Sequence, residues 1–223
     1  MRPSVAREIL RLAPSAMNDL SMHLGSLAVL LLLSLVVWRH YRRSSYPPTR
    51  KYDTFGPRFC TGFVDNVVLW PVGFVAMWVL FIEPPLAIAA VVIVGRDLLW
   101  LAYTVLLHAK YGQTVGKRVC HVKVVDSRTE GPLTFRQALL RESIPLVMCL
   151  GFAVYQIYAL SRGTLSAVEI ARGKMADSPA FWLLMSLPLL WFVAEVITML
   201  TNEKRRALHD YLADTVVVRT NLQ

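Results

Sequence analysis

Apolar residues in this chain are gathered into five blocks: about Leu24 to Trp38, Phe59 to Ile82, Leu86 to His108, Ser143 to Leu160 and Ala180 to Leu200. Each block is long enough, or nearly so, to cross a hydrocarbon core of about 30 Å as a helix. The pattern predicts an α-helical polytopic membrane protein with about five transmembrane helices. The first block is the shortest. Mixed and polar residues precede it, its basic cluster follows it, and no small-residue cleavage site comes after, so it reads as a retained span and not as a removed signal peptide.

Between the blocks, two segments have strand character. Val119–Asp126 (VCHVKVVD) is β-branched with partial alternation, and Thr215–Arg219 (TVVVR) is similar. Neither makes a sheet alone, so the two are expected to pair into a small cytoplasmic β element. Phe135–Glu142 reads as a short helical lead-in at the interface, with Arg136 and Arg141 available to headgroups.

Charge sets the orientation. Of 24 Lys and Arg, 17 fall in Arg39–Arg58, Ala109–Glu142 and Thr201–Gln223, while the N-terminal tail, the Glu83-Pro84-Pro85 turn and Ser161–Pro179 together hold six. Basic flanks stay cytoplasmic, which predicts an external N-terminus and a cytoplasmic C-terminus. Residues 1–51 then form a tail, the first helix and a basic linker. Residues 52–223 form one membrane domain, with a cytoplasmic loop at about 109–142 and a cytoplasmic tail.

Composition agrees. The 223 residues are 55% hydrophobic and 17% charged, with a mean hydropathy of +0.46, against about a quarter charged in soluble domains. A net charge of +9 has a plainer source in span-flanking residues beside anionic lipid than in nucleic-acid binding, which is not expected. Cys60, Cys120 and Cys149 have no metal or disulfide spacing.

Ionisable residues inside spans carry the chemical interest, because a charge at the bilayer centre costs at least about 2.5–3.5 kcal/mol and normally faces a partner or water. These are Asp65, Arg96, Asp97 and Glu195, with Arg58 at the mouth of the second span. In an antiparallel hairpin about Glu83-Pro84-Pro85, Asp65 lies level with about Tyr103 and Arg96 sits nearer the midplane. Glu195 reaches about the depth of Asp65. Three carboxylates against one arginine favour proton uptake or a bound cation, with Asn66, Tyr103 and Thr198 as neutral oxygen donors. Such pairs also serve as polar glue between helices, and the residues alone leave both readings open.

Other patterns are weaker. Gly112-Gln113-Thr114-Val115-Gly116-Lys117-Arg118 has three residues, not four, between its glycines, and Arg118 where a phosphate loop needs Ser or Thr. His209-Asp210 lacks a second His cluster and reads as a capping or ion-paired dyad beside Arg205 and Arg206. No catalytic set emerges, so neither an enzyme nor a cofactor is expected.

Several of these segments, in this order, resemble the RDD membrane proteins. They are Phe55-Gly56-Pro57-Arg58-Phe59 with Phe63-Val64-Asp65, then Gly112–Arg118 and Val119–Asp126, then Leu140-Arg141-Glu142. Arg205-Arg206-Ala207-Leu208-His209-Asp210-Tyr211-Leu212-Ala213 with Thr215-Val216-Val217-Val218 close the series. The likeness covers about Tyr52 to Val218. It implies a four-helix core to which the first helix is an addition, with Arg58, Asp65 and Asp210 as the name residues. It also implies a cytoplasmic motif of Gly112, Thr114, Gly116, Lys117, Arg141 and His209. Asp214 departs from the usual Gly, which puts a tight turn there in question or adds a charge.

Some members are implicated in sodium/proton exchange and others resemble components of membrane complexes. Two functions follow as expectations for an inner-membrane protein of bacterial type. One is movement or sensing of a monovalent cation or proton, in an oligomer or with a membrane partner, with Asp65 as the central carboxylate, Glu195 and Asp97 assisting it, and Arg58, Arg96 and Asp210 in gating or orienting ion pairs. The other is a non-transporting scaffold.

Overall fold

A computed structural model describes residues 3–174 and 179–223. Its helices are α1 (Pro3–Tyr41), α2 (Phe55–Phe81), α3 (Leu86–Tyr111), α4 (Val115–Val119), α5 (Phe135–Arg141), α6 (Ser143–Ser161), α7 (Ala167–Ala171), α8 (Pro179–Thr201) and α9 (Leu208–Leu212). The strands are β1 (Val122–Asp126) and β2 (Thr215–Arg219). Among the described residues, five helices are long and apolar enough to cross a membrane, over Leu20–Tyr41, Phe55–Phe81, Leu86–Tyr111, Ser143–Ser161 and Phe181–Thr201. The chain is a multi-pass membrane protein. Its first span is longer than the Leu24–Trp38 block, because the helix carries Arg39 and His40 in its last turn.

Local chemistry places the ends. Pro84 and Pro85 separate α2 from α3, since proline cannot continue one helix yet suits the start of the next. Gly112 closes α3 in the left-handed region, with φ of +68° and its N–H on the His108 carbonyl at 2.8 Å. A side chain there would also meet the Val124 carbonyl at 2.5 Å, so conformation and space both require glycine. Thr114 caps α4 by accepting from the Lys117 N–H, and Thr134 with Gln137 forms a capping box on α5. The Ser161–Pro179 connection contains α7, which starts at a capping box of Ser166 and Glu169.

The two β-prone segments pair as expected. β1 and β2 run antiparallel, with Val124 opposite Val217 and Asp126 opposite Thr215. The strand starts at Val122 and not at Val119, because Val119 completes α4. A two-stranded sheet is marginal in isolation; here Val122, Val124 and Val217 pack with Val37, Tyr41, Val64 and Leu133, so the helices supply the missing layer. A second cluster joins Leu80, Ala89, Ile93 and Ala153 to Leu165 and Ile170. Small residues there let α3 and α6 approach closely.

Candidate functional site

The short elements α4, α5, α9 and the sheet gather at one end of the helices, where their polar side chains meet those of α2, α3 and α8. Three connected arrangements result.

The first centres on Asp210, which has no exposed surface. Its Oδ2 accepts from Arg58 Nη1 at 2.6 Å and from the Ala207 N–H at 2.9 Å. Its Oδ1 accepts from Arg141 Nη1 and, at 3.0 Å, from the Thr215 hydroxyl, which itself accepts from Arg141. Burial alone would raise the Asp210 pKa, but the guanidinium groups of Arg141 and Arg58 hold it well below the usual carboxylate range. Arg141 therefore does not lie out among headgroups. It is 5% exposed and belongs to this ion cluster, whereas Arg136 of the same helix is exposed. The partners of Asp210 likewise differ from the adjacent arginines that the sequence suggested: Arg206 bonds only its backbone carbonyl, at 3.0 Å.

The second holds Asp65. Tyr103 donates to its Oδ1 at 2.6 Å, as the predicted hairpin register requires, and the Gly116 N–H joins at 2.7 Å. The Thr114 hydroxyl donates to Oδ2 at 2.8 Å. Glycine at 116 is needed for this approach, since a Cβ would lie 2.2 Å from the Thr61 carbonyl and 2.8 Å from Asp65 Oδ2. The G-x-T-x-G segment is thus a clamp on an intramembrane carboxylate and not a phosphate cradle.

The third is two histidine–carboxylate pairs. His209 Nδ1 lies 2.6 Å from Glu195 Oε1, and its backbone N–H donates to the same oxygen at 3.2 Å. His108 Nδ1 lies 3.3 Å from Glu142 Oε1, with His108 only 1% exposed. Burial, then Arg141, lowers the His209 pKa, which favours the neutral ring. Burial would raise the Glu142 pKa, yet His108, Arg141 and Lys117 bring it to about 2. Burial lowers that of Lys117 to about 8, with Arg141 adding to the effect.

A cavity of about 310 Å³ brings these together; Asp65, Lys117, Arg141, Glu142, Glu195 and His209 all reach its wall. Asp65 and Glu195, placed at one depth by helix geometry, do converge on it. Arg96 and Asp97 do not. They pair with each other at 2.9 Å and line a larger neighbouring cavity. Of the neutral oxygens expected there, Tyr103 reaches Asp65, Thr198 bonds back to its own helix, and Asn66 donates to the Gly62 carbonyl. Asp214 adopts φ of +50°, keeping the turn that glycine would make, and its carboxylate faces Arg206 at 3.6 Å.

His108, Glu142 and the catching of Lys117 in the cavity are not evident from the sequence. His108 and Glu142 sit at span boundaries, where a polar residue has an ordinary explanation. The available signal was spacing: Thr104 and His108 are one turn apart on α3 and both line the cavity.

Comparison with known families matches residues 52–214 to the model described as "RDD family". No curated protein and no solved structure matches.

Proposed function

This chain belongs to the RDD family of membrane proteins, and we propose that it binds and moves a monovalent cation or proton at the polar cavity of its bundle. The observation that carries the reading is the charge balance around that cavity. Arg58, Lys117 and Arg141 oppose Asp65, Glu142, Glu195 and Asp210, so with neutral histidines the cluster is one positive charge short. Low dielectric makes such a deficit costly, and one proton or one monovalent cation removes it.

The carboxylates divide by role in this reading. Asp210 and Asp65 are held by protein donors and shape the site. Glu142 is kept ionised by His108, Arg141 and Lys117, and among the described residues the Glu195 carboxylate is bonded only through His209, so Glu195 is the group that exchanges its partner. Arg96 and Asp97 continue the polar path into the second cavity. The end of the bundle that carries the short elements is the cytoplasmic one, because most of the basic residues lie in its segments.

Sodium- or pH-driven flux in proteoliposomes tests the reading. Wild-type protein should exchange ions, and Glu195→Gln should not. The full set of donors on Asp65 and Asp210 favours one second reading, a scaffold whose polar residues hold helices and partners in register. It predicts no flux from wild-type protein and a loss of stability alone on mutating Asp65.

A further inference from the structure

Two cavities meet within the helices. Next to the polar one lies an apolar chamber of about 820 Å³, and Asn66, Trp100, Pro145 and Trp191 belong to the walls of both. Both volumes fall in the range of roughly 300–1,000 Å³ found for small-molecule sites. Along α2 the walls run from Thr61 to Leu80, about 28 Å of helix at 1.5 Å per residue. Polar groups gather at the end where the short elements sit. Leu69, Val72, Met77 and Leu80 follow, and α1 adds Ser26 and Leu30. A polar head at one interface with a chain running inward from it is also the order of a bilayer lipid.

The polar end offers unengaged groups of both signs. Among the described residues the Nε2 of the buried His108 has no hydrogen bond, while its Nδ1 faces Glu142 Oε1 at 3.3 Å. Among the described residues, no acid lies within ion-pairing distance of the Lys117 ammonium, which faces the same space. On the acceptor side, Glu142 and Glu195 meet their histidines through Oε1. Their Oε2 atoms have no protein donor among the described residues. A simple anion would satisfy the donors but face Asp65, Glu142 and Glu195. A head carrying both charges meets both sets. In the chamber Arg96 and Asp97 neutralise each other, so a chain entering there meets no net charge.

We propose that the two cavities together hold one zwitterionic phospholipid with a primary ammonium head. Its phosphate sits beside the Lys117 ammonium, its ammonium beside Glu142 Oε2, and one acyl chain fills the apolar chamber. The site does not depend on conduction, since a head of zero net charge leaves the charge deficit of the cluster as it was.

The test places the full chain in nanodiscs of equal parts phosphatidylethanolamine, phosphatidylcholine and phosphatidylglycerol, then reads retained lipid by native mass spectrometry. One phosphatidylethanolamine per chain should be kept, about tenfold over the other two. Glu142→Gln should lose the preference over phosphatidylcholine, and Lys117→Ala, which removes the partner of a phosphate that all three lipids share, should lower retention of all of them. Gly73→Leu is the third variant: Gly73 lines the chamber and a Cβ there meets nothing within 4 Å, so the new side chain occupies the chain's space without touching the polar end. It should lower retention about tenfold. Equal retention of phosphatidylcholine or phosphatidylglycerol, no retained lipid, or unchanged retention in Gly73→Leu would each overturn the proposal.

Discussion

Arg58 at the start of α2 and Asp210 in α9 lie 2.6 Å apart across 152 positions of sequence, with Asp210 fully enclosed. Arg141 reaches the same carboxylate from α5. One acid thus ties three elements of the chain together. Removing its charge leaves two guanidinium groups buried without compensation. Asp210→Asn should cost about 3–5 kcal/mol, seen as a lower Tm in detergent. A cycle of Asp210→Asn with Arg141→Met should be clearly non-additive, because each change removes the reason for the other partner.

The clamp on Asp65 depends on the absence of a side chain at 116. Gly116→Ala puts a methyl group against the Thr61 carbonyl and the Asp65 carboxylate, at a cost of about 1–3 kcal/mol. Amide hydrogen exchange is the direct measurement. The Gly116 N–H, which donates to Asp65 at 2.7 Å, should exchange slowly in wild-type protein and faster in Asp65→Asn, where one oxygen is lost.

Acid should weaken the fold in two stages. His209 has a folded pKa below its ordinary 6.5. The unfolded chain therefore takes the proton first, and the stability this gives is present above 6.5 and lost as pH falls below it. Glu142 has a folded pKa of about 2 against 4.5. Its contribution is present above 4.5 and disappears between there and about 2. A Tm series against pH should fall through both windows. His209→Gln should flatten the upper one, and an unchanged slope would remove the assignment.

Asp214 occupies a left-handed position, φ +50°, where an L side chain costs energy. Its carboxylate is largely exposed and its nearest cations lie 3.6 and 3.9 Å away, so those ion pairs offset little. Asp214→Gly should therefore raise stability by up to about 1 kcal/mol, measured as a higher Tm.

The spans and the β pairing were legible in the sequence because each is written in local periodicity. Block length marks α2, α3, α6 and α8, and β-branched runs mark β1 and β2. The level of Tyr103 with Asp65 followed from one short turn and a fixed helical rise. The surroundings of Arg141 were not legible, because its acid lies 69 positions away and nothing periodic links them. The short helices α4, α5 and α9 decide which charges meet. They are set by caps and by glycine contacts such as those of Gly112 and Gly116, which act only once the long helices have packed. Arithmetic within the spans found two carboxylates in excess. Lys117, Glu142 and the Arg58–Asp210–Arg141 group reduce that excess to one.

That single missing charge is the centre of the functional reading, and Glu195 is the carboxylate free to meet it. The direct test is the initial rate of sodium- or pH-driven flux in proteoliposomes carrying Glu195→Gln or wild-type protein at equal density. The expected result is clear wild-type exchange and a rate at least about tenfold lower, roughly 1.4 kcal/mol, in the variant. Exchange by Glu195→Gln at the wild-type rate, or no exchange by either protein, would contradict it.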